Sequence, residues 1–439
     1  MSLNTKCLTL LLLSFFSGYK LRAQDSTLVG TTIKWDLSQC ITYAKKNNIQ
    51  INSLRLSMQT SRQELELARA AKLPDLSASA SQDFIHQGGG QGFSASGNYG
   101  VSSSVTLYKG NYLNNTISQR NLQLQSANLS ILQQENDIVL QITQAYLAIL
   151  LDKENIIYNT DLVNTTTAQV KLEQQRYDVG SVARKDLIQL QAQQAADQYM
   201  LVNIQNTQRG DLLTLKQLLI LPSDVNFDIV KPDTIASAQT NATSLRDVQD
   251  IAFKTRPEIK NGELGVKIAQ YDVSKANAGY KPSLIAGGSI GSGYNSSGVG
   301  GFNQFNNNFN QQVGVTLAVP IFTKRVVRTQ VEEAKIAVEQ SKLNLQNTKI
   351  VLSGSVERAF INLKNAQAQY EAAEVQYNFS KESYRIASEQ LKVGVANTVD
   401  FLLQKNLYVQ SQQAFVQAKY NVILSLKIYD FYRGVPITL

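Results

Sequence analysis

Hydrophobic and polar positions alternate with a period of two in two pairs of short segments. The first pair covers residues 75–86 and 98–108, and the second covers 283–293 and 310–321. In each segment apolar side chains alternate mostly with serine, threonine or glycine, as expected for a β-strand with one apolar and one polar face. Each pair of segments therefore predicts a β-hairpin.

The length of these segments, about 10 to 12 residues, is what a tilted strand needs to cross an outer membrane. An apolar face that packs on a protein core gives the same alternation, so a hairpin of a soluble β-sandwich is the alternative. After the first 23 residues the sequence has no apolar run of the roughly 18 residues that a membrane-spanning helix needs. If the chain crosses a membrane, we therefore expect it to do so as strands.

Helical patterns precede and follow each hairpin. Apolar positions recur every three or four residues over 37–72 and 245–279, which predicts one helix of about 35 residues in each place. After each hairpin comes a segment without proline, 111–178 and 323–392, whose narrow apolar stripe is typical of a coiled coil. A helix of this length spans roughly 100 Å. A glycine then ends each long helix, and a returning helix follows.

These elements occur twice because the chain contains an internal repeat. Residues 24–222 and 244–439 share one pattern, and a linker over 223–243 joins them. Matching positions lie 208 residues apart before the hairpin loop and 214 apart after it, as in Pro74 and Pro282, or Gly180 and Gly394. The predicted fold class is α+β, with two tandem repeats of helix, β-hairpin, long helix and helix.

Two hairpins supply four strands, which are too few to close a barrel around a lumen. The sequence therefore predicts an oligomer. Three copies would give a transmembrane β-barrel of twelve strands, which lies within the range of membrane barrels. The long helices of the three copies would continue this barrel as a coiled-coil α-helical barrel.

The first 23 residues predict a cleaved secretory signal. Lys6 precedes an apolar run over 8–16, and the expected cut lies between Ala23 and Gln24. Removal of three basic residues with the signal lowers the formal net charge from +8 to +5. Because the remaining charges are scattered along the chain, we expect no nucleic-acid partner.

Little in the sequence indicates chemistry. Residues 287–291 match the G-x-S-x-G pattern of hydrolases, but they lie in an alternating strand and His86 is the only histidine. A single histidine, with Met58 and Met200 as the only methionines after the signal, gives no pattern of metal ligands. We therefore expect no enzymatic activity, metal or cofactor, and only Cys40 remains in the mature chain, so no intramolecular disulfide is possible.

Four features are distributed along the chain with a specific order, spacing and duplication. They are the opening Leu37-x-x-Cys40-Ile41-x-x-Ala44-x-x-Asn47-Asn48, its echo over 252–259, the exit Val319-Pro320-Ile321-Phe322, and two Val-Gly turns followed by aspartate. In this order and duplication they resemble the TolC family of outer-membrane efflux proteins, over essentially the whole mature chain. The resemblance implies a homotrimer, with a barrel embedded in outer-membrane lipid, a periplasmic helical tunnel and an equatorial belt that includes 223–243.

The resemblance also implies partners and a function. The partners would be a periplasmic adaptor protein and an inner-membrane pump of the RND, ABC or MFS type. The protein would be the passive outer-membrane exit duct of a tripartite efflux or type I secretion system. The alternative is a coiled-coil surface stalk or adhesin without a channel.

Two aspartates, Asp186 and Asp400, fall in the first turn of the returning helices, where the helix dipole favours a carboxylate. By resemblance, Asp400 matches the first carboxylate of the periplasmic entrance of the family. The second carboxylate position holds Leu403, and the positions that tie the gate hold Leu391 and Ala396. The sequence thus predicts a closed gate held by apolar packing of Leu391 and Leu403 more than by ion pairs.

Both helix tips match the adaptor-docking motif of the family, although a simple turn between two helices would have the same residues. The predicted docking residues are Val179, Gly180 and Ser181 in the first repeat, and Val393, Gly394 and Val395 in the second.

Overall fold

The computed structural model describes residues 32–87, 92–232, 244–296 and 303–438. The first repeat contains β1 (Ile33–Trp35), α1 (Leu37–Asn47), α2 (Ile49–Ala70), β2 (Ser77–Gln87), β3 (Gly92–Lys109), α3 (Tyr112–Asp178) and α4 (Arg184–Leu219). After β4 (Phe227–Ile229), the second contains α5 (Leu245–Thr255), α6 (Pro257–Asn277), β5 (Ser283–Asn295), α7 (Gln304–Asn307), β6 (Asn310–Ala318), α8 (Val326–Lys392) and α9 (Thr398–Tyr432). The predicted α+β fold class is confirmed.

Two predicted segments fall wholly or partly outside this description. The signal sequence, with its expected cut between Ala23 and Gln24, lies outside the described residues. Of the linker over 223–243, the structure describes 223–232, which contain β4. This strand pairs in parallel with β1, so it joins the start of the chain to the end of the first repeat.

The prediction of one continuous helix over 37–72 and another over 245–279 is wrong, because each helix is interrupted after eleven residues. In the first repeat the side chain of Asn48 caps a new helix by accepting hydrogen bonds from two backbone N–H groups of its first turn. In the second repeat Arg256 leaves the helical conformation directly before Pro257, which disfavours that conformation in the preceding residue.

The four long strands form one antiparallel sheet in the order β2-β3-β5-β6. Residues that pair directly across such a sheet point to the same face. A polar row crosses all four strands through Ser77, Ser102, Ser289 and Gln312. On the other face, an apolar row crosses three strands through Val105, Ala286 and Val315. The sheet thus has one polar face and one apolar face, and Ser289 of the hydrolase-like pattern belongs to the polar one.

Two strand boundaries differ from those predicted by three residues or more. β3 begins at Gly92 rather than 98, because Phe93 pairs with His86 and its ring stacks on Phe84 with centroids 5.9 Å apart. β6 ends at Ala318 rather than 321, before Pro320, which has no N–H group to continue the pairing. The first hairpin therefore has a shorter loop than the sequence indicates.

The helices form one layer below the sheet. Next to the sheet the helices of this layer are ordered α2, α3, α6 and α8. Farther from the sheet α4 replaces α2 as the neighbour of α3, and α9 lies between α3 and α8. The main core lies where β1, β4, α1 and α5 pack on this layer. There the Tyr146 hydroxyl donates a hydrogen bond of 2.6 Å to the carbonyl of Val230, and Cys40 is completely buried.

A pair of carboxyl groups lies in the contact between α3 and α4. Asp152 is 7% exposed, one of its carboxyl oxygens has no hydrogen-bond partner among the described residues, and Asp211 lies beside it. Burial and repulsion by Asp211 raise the pKa of Asp152 to about 7. Asp152 therefore keeps its proton in the folded protein at pH values where it is ionised in the unfolded chain.

This pKa predicts that the Asp152→Asn variant is more stable than the wild-type protein at pH 8. Between pH 4 and 7 the folded state binds more protons at Asp152 than the unfolded state, so wild-type stability falls as the pH rises. The asparagine removes this dependence, with a gain at pH 8 of up to about 4 kcal/mol. Thermal unfolding of both proteins, followed by circular dichroism at pH 5 and pH 8, measures the difference in stability. A gain of equal size at both pH values would contradict the raised pKa of Asp152.

Candidate functional site

The sheet and the helical layer both end in unpartnered edges. Among the described strands β2 and β6 each have one strand neighbour, so each presents a row of unpaired backbone groups. Below β6, an apolar stripe on α8 is exposed at seven-residue spacing; it consists of Ile336, Leu343 and Ile350 at 68%, 59% and 62%. Below β2, Ile49, Leu56 and Leu67 are exposed on α2. Opposite edges of one chain are therefore both suited to further association.

The repeat predicts how these edges fit together. Within the chain α3 packs on α6, and the Ser126 hydroxyl lies 2.5 Å from the side-chain oxygen of Asn261. The position that matches Ser126 is Gln340 on α8, and the position that matches Asn261 is Ser53 on α2. Both are exposed in the single chain. If α8 of one copy packs on α2 of the next as α3 packs on α6, these two residues meet.

At the far end of the molecule each long helix turns back through the same motif. Gly180 and Gly394 adopt φ of 77° and 76°, the left-handed conformation that glycine tolerates best. The N–H groups of Ser181 and Val395 donate to the carbonyls of Arg176 and Gln390 and close the two helix ends. Of the predicted docking residues, Val179, Val393 and Val395 are 79%, 74% and 77% exposed. Each tip therefore presents bare apolar side chains.

The two tip aspartates differ in their surroundings. Asp400 is exposed, and its backbone N–H donates a 2.8 Å hydrogen bond to the side chain of Asn397, which caps α9. Asp186 is half-buried in the first turn of α4, where no side chain caps the helix. Neither aspartate forms an ion pair with another described residue of the chain.

The two predicted gate leucines lie in different environments. Leu391 is 9% exposed and belongs to a small apolar cluster at the tips with Leu190, Ala387 and Phe401. Leu403 is 56% exposed, and the half-buried Ala396 lies in the turn before α9. Leu391 thus packs within the chain, whereas Leu403 and Asp400 are free to face another copy.

Arg176, which the sequence did not indicate, ties one tip to the other. Its guanidinium donates hydrogen bonds of 3.1 and 2.5 Å to the carbonyls of Leu391 and Lys392, the last two residues of α8. A cation at the C-terminal end of a helix satisfies free carbonyls and interacts favourably with the helix dipole. Arg176 lies in the last turn of α3, so it joins the two hairpins at their tips.

A buried ion pair joins the hairpins about three turns farther from the tips than Arg176. The ammonium of Lys405 on α9 is completely buried, 2.5 Å from Asp197 on α4 and 2.6 Å from the hydroxyl of Thr166 on α3. Gln193 donates a 2.9 Å hydrogen bond to the other oxygen of Asp197. Burial lowers the pKa of Lys405, although the bond to Asp197 opposes this effect. The loss of one member would leave a buried charge unpaired, which is strongly destabilising.

The second hairpin also carries a ladder of aromatic rings. Rings of α8 and α9 alternate at seven-residue spacing on each helix, with neighbouring centroids 5.0 to 5.9 Å apart. From the tip upward the ladder consists of Phe401, Tyr384, Tyr408, Tyr377, Phe415 and Tyr370. The matching positions of the first repeat are Leu187, Val170, Gln194, Val163, Leu201 and Ile156. The two hairpins therefore have the same backbone but differently built interiors.

The sequence pattern contained a signal for the ladder, because three aromatic residues recur every seven positions on each helix. Arg176 and Lys405 gave no such signal, since their partners are more than 200 residues away in sequence. Among the described helices we find no stretch with the length and hydropathy of a membrane span. No described group of three or more acidic, histidine or cysteine side chains is arranged to hold a metal ion.

Comparisons with known proteins agree with this geometry. The model of the outer membrane efflux protein family matches residues 40–219 and 249–427, one segment in each repeat and more than half of the chain. The outer membrane efflux protein BepC of Brucella suis is 22% identical over 416 residues, which cover 92% of this chain and 84% of BepC. The alkaline protease secretion protein AprF of Pseudomonas aeruginosa is 22% identical over 69% of this chain and 62% of AprF.

Solved structures share the fold as well. The crystal structure of CusC, described with its transmembrane channel formation, superposes with a TM-score of 0.80 over 92% of this chain and 94% of CusC, at 16% identity. The family match covers both repeats, and the structural match covers their full arrangement of hairpins and long helices. The chain belongs to the outer membrane efflux protein family.

Proposed function

We propose that three copies of this chain form the passive exit duct of an efflux or secretion system. As an outer membrane efflux protein, the chain resides in the outer membrane and extends into the periplasm. The observation that carries the proposal is the four-stranded sheet, which has one polar face, one apolar face and two unpaired edges. Such a sheet is complete only when its edges pair with those of other copies.

The number of copies follows from the strands. In lipid every backbone N–H and C=O group needs a partner, so the edges of β2 and β6 must pair. Four strands are too few for a barrel with a lumen, and twelve strands lie within the range of membrane barrels. In the closed ring the apolar face contacts lipid and the polar face lines the lumen.

The helical layer continues this ring. The exposed stripe of α8 meets the exposed stripe of α2 of the next copy, so association is head to tail and closes after three chains. The long helices span roughly 100 Å and carry the lumen through the periplasm. The tips of six hairpins then meet at the periplasmic mouth, where Asp400 and Leu403 are exposed and form the gate with Asp186.

The partners of the duct are a periplasmic adaptor and an inner-membrane pump. The exposed valines at both tips, Val179, Val393 and Val395, give the adaptor an apolar surface on which to dock. Energy for transport comes from the pump, because the sequence contains no phosphate-binding loop. BepC is named for efflux and AprF for secretion of a protease. The proposal therefore covers both efflux and protein secretion for this chain.

A surface stalk or adhesin without a channel is the alternative. Reconstitution of the purified protein in planar bilayers separates the two functions. The duct predicts discrete conductance steps, whereas a stalk predicts none in any condition. Silence at all voltages and salt concentrations, with correctly assembled protein, would contradict the duct.

Asp400 is predicted to give the mouth its preference for cations. Three symmetry-related carboxylates concentrate cations at the entrance, so Asp400→Asn should lower the ratio of cation to anion permeability at least about twofold. Reversal potentials in a salt gradient across the bilayer measure this ratio. The control is Glu382→Gln, which removes an equal charge from an exposed site on α8, ten residues before the end of that helix. An equal effect of both variants would show that Asp400 does not line the mouth.

Arg176 is predicted to hold the tips together. Arg176→Gln weakens two charge-assisted hydrogen bonds to the end of α8, so the open state should be favoured about tenfold, or about 1.4 kcal/mol. Single-channel recordings of the open probability measure the change. Arg184→Gln removes the same charge from the first tip, where the exposed side chain forms no ion pair or side-chain hydrogen bond with the described residues, and it should leave gating unchanged. An unchanged open probability in Arg176→Gln would mean that these bonds do not hold the gate closed.

A further inference from the structure

The chain leaves the sheet for each long helix at a sharp corner, and the two corners are built differently. Each corner has two consecutive residues in the left-handed conformation. In the first repeat these are Gly110 and Asn111, with φ of 58° and 70°. In the second they are Lys324 and Arg325, with φ of 47° and 69°. Glycine and asparagine tolerate this conformation, whereas lysine and arginine adopt it at a cost in energy.

The corners also differ in their charge. A Cβ atom on Gly110 would lie 2.7 Å from the Cβ of Lys281, so the first corner is packed tightly against the end of α6. In the proposed ring the matching Lys324 lies close to Leu73 of the next copy, so the two corners differ in charge more than in packing. Lys324 and Arg325 are exposed, as is Arg328 one turn into α8. None of these three side chains has an ion-pair or hydrogen-bond partner in the part of the chain that the structure describes. The second corner is therefore an unneutralised patch of positive charge.

Bare apolar side chains lie directly beside this charge. In the single chain Ile321 is 96% exposed, Phe322 is 82% exposed and Val326 is 55% exposed. All three lie within three residues of Lys324, at the end of the sheet where the strands meet the helices. The matching Leu107 and Tyr108 stay 56% and 41% exposed although β5 pairs with β3 beside them, so the proposed ring leaves part of this surface bare. We call this surface, Ile321 to Val326 with Arg328, the basic corner. The basic corner combines exposed apolar side chains with three cations.

Other cations lie at the same end of the sheet. Lys72 precedes β2, Lys109 ends β3 and Lys281 precedes β5. Of the acidic residues near this rim, Asp75 accepts hydrogen bonds of 2.5 and 2.9 Å from the backbone N–H and hydroxyl of Ser104. Glu332 and Glu333 lie about one turn beyond Arg328 on α8, and Glu332 pairs with Lys335. The periplasmic rim of the sheet is thus positive, with the basic corner as its most exposed part.

We propose that the basic corner binds the phosphate headgroup of an anionic phospholipid in the periplasmic leaflet of the outer membrane. The inference rests on the proposed function, which places this end of the sheet at that leaflet. The charge complements a phosphate, and the cations near a membrane surface attract anionic lipids. Ile321 and Phe322 decide between a lipid and free phosphate, because an acyl chain covers them and an inorganic ion does not.

The decisive variant replaces the corner with its counterpart from the first repeat, as Lys324→Gly with Arg325→Asn. These residues fit the left-handed backbone, so the variant should fold at least as well as the wild-type protein. Protein purified in micelles with equal amounts of phosphatidylglycerol and phosphatidylethanolamine is passed over a sizing column, and its retained lipid is quantified by mass spectrometry. We expect the wild-type protein to retain several times more phosphatidylglycerol than phosphatidylethanolamine, and the variant to lose at least about two thirds of this excess.

The matched control removes two positive charges from the exposed part of α8 away from the sheet, as Lys342→Gln with Lys349→Gln, and should retain the wild-type excess. Added inorganic phosphate at 10-fold excess over lipid should displace little phosphatidylglycerol. Equal retention by the wild-type protein and the corner variant would overturn the inference, as would equal losses in the control. Full displacement by inorganic phosphate would identify a simple anion site instead of a lipid site.

Planar-bilayer recordings of the same proteins separate this inference from the proposed function. A corner variant that conducts normally and loses the lipid preference supports both. Normal conductance with an unchanged lipid preference overturns only the lipid site. A wild-type protein that never conducts overturns the proposed function.

Discussion

The structure depends on the unpaired backbone groups at the two edges of its four-stranded sheet. A hydrocarbon environment leaves no water to satisfy these N–H and C=O groups, so the edges of β2 and β6 must find strands of another chain. In the proposed duct this constraint requires an oligomer, and the head-to-tail fit of opposite edges closes that oligomer into a ring. The helices below the sheet would form part of the same ring, with the tips of the hairpins at its far end.

The internal repeat would make the proposed ring nearly uniform, although the two repeats differ in specific side chains. The two hairpins share their bounds and their turns, yet only the second has an aromatic ladder along its helices. Arg176 and the buried pair of Lys405 with Asp197 cross from one hairpin to the other. The two hairpins of one chain are therefore stiff units joined at a few polar points, and such points are where a gate can be released without unfolding a helix.

The sequence predicted the fold through its periodicities. Three patterns indicated the elements: the alternation in the strands, the absence of proline in the long helices and the internal repeat. Each reflects local backbone structure, which a single sequence can predict. The breaks at Asn48 and Arg256 were missed because a periodic apolar stripe continues across both, although Pro257 was a readable signal for the second. The left-handed Lys324 and Arg325 were unreadable, since nothing in their residue types favours that conformation.

The sequence predicted the candidate site only where the position of a residue is set by the turn that contains it. Gly180, Gly394 and Asp400 lie in tips whose form follows from local sequence, and the structure places them there. The contacts of Arg176 and Lys405 depend on how the two repeats pack, so they required the tertiary structure. Leu391 illustrates the same limit, because its burial within one chain is decided by Leu190 and Phe401 on other helices.

In the proposed duct neighbouring copies join as the two repeats join within one chain. Cysteines at Ser53 and Gln340 test this arrangement, because the matching pair Ser126 and Asn261 is in contact and the native Cys40 is buried. Under mild oxidation the Ser53→Cys/Gln340→Cys protein should form covalent species of up to three chains, and either single variant should form none of that size. Absence of crosslinks in assembled protein, or ladders that extend beyond three chains, would contradict the closed ring of three.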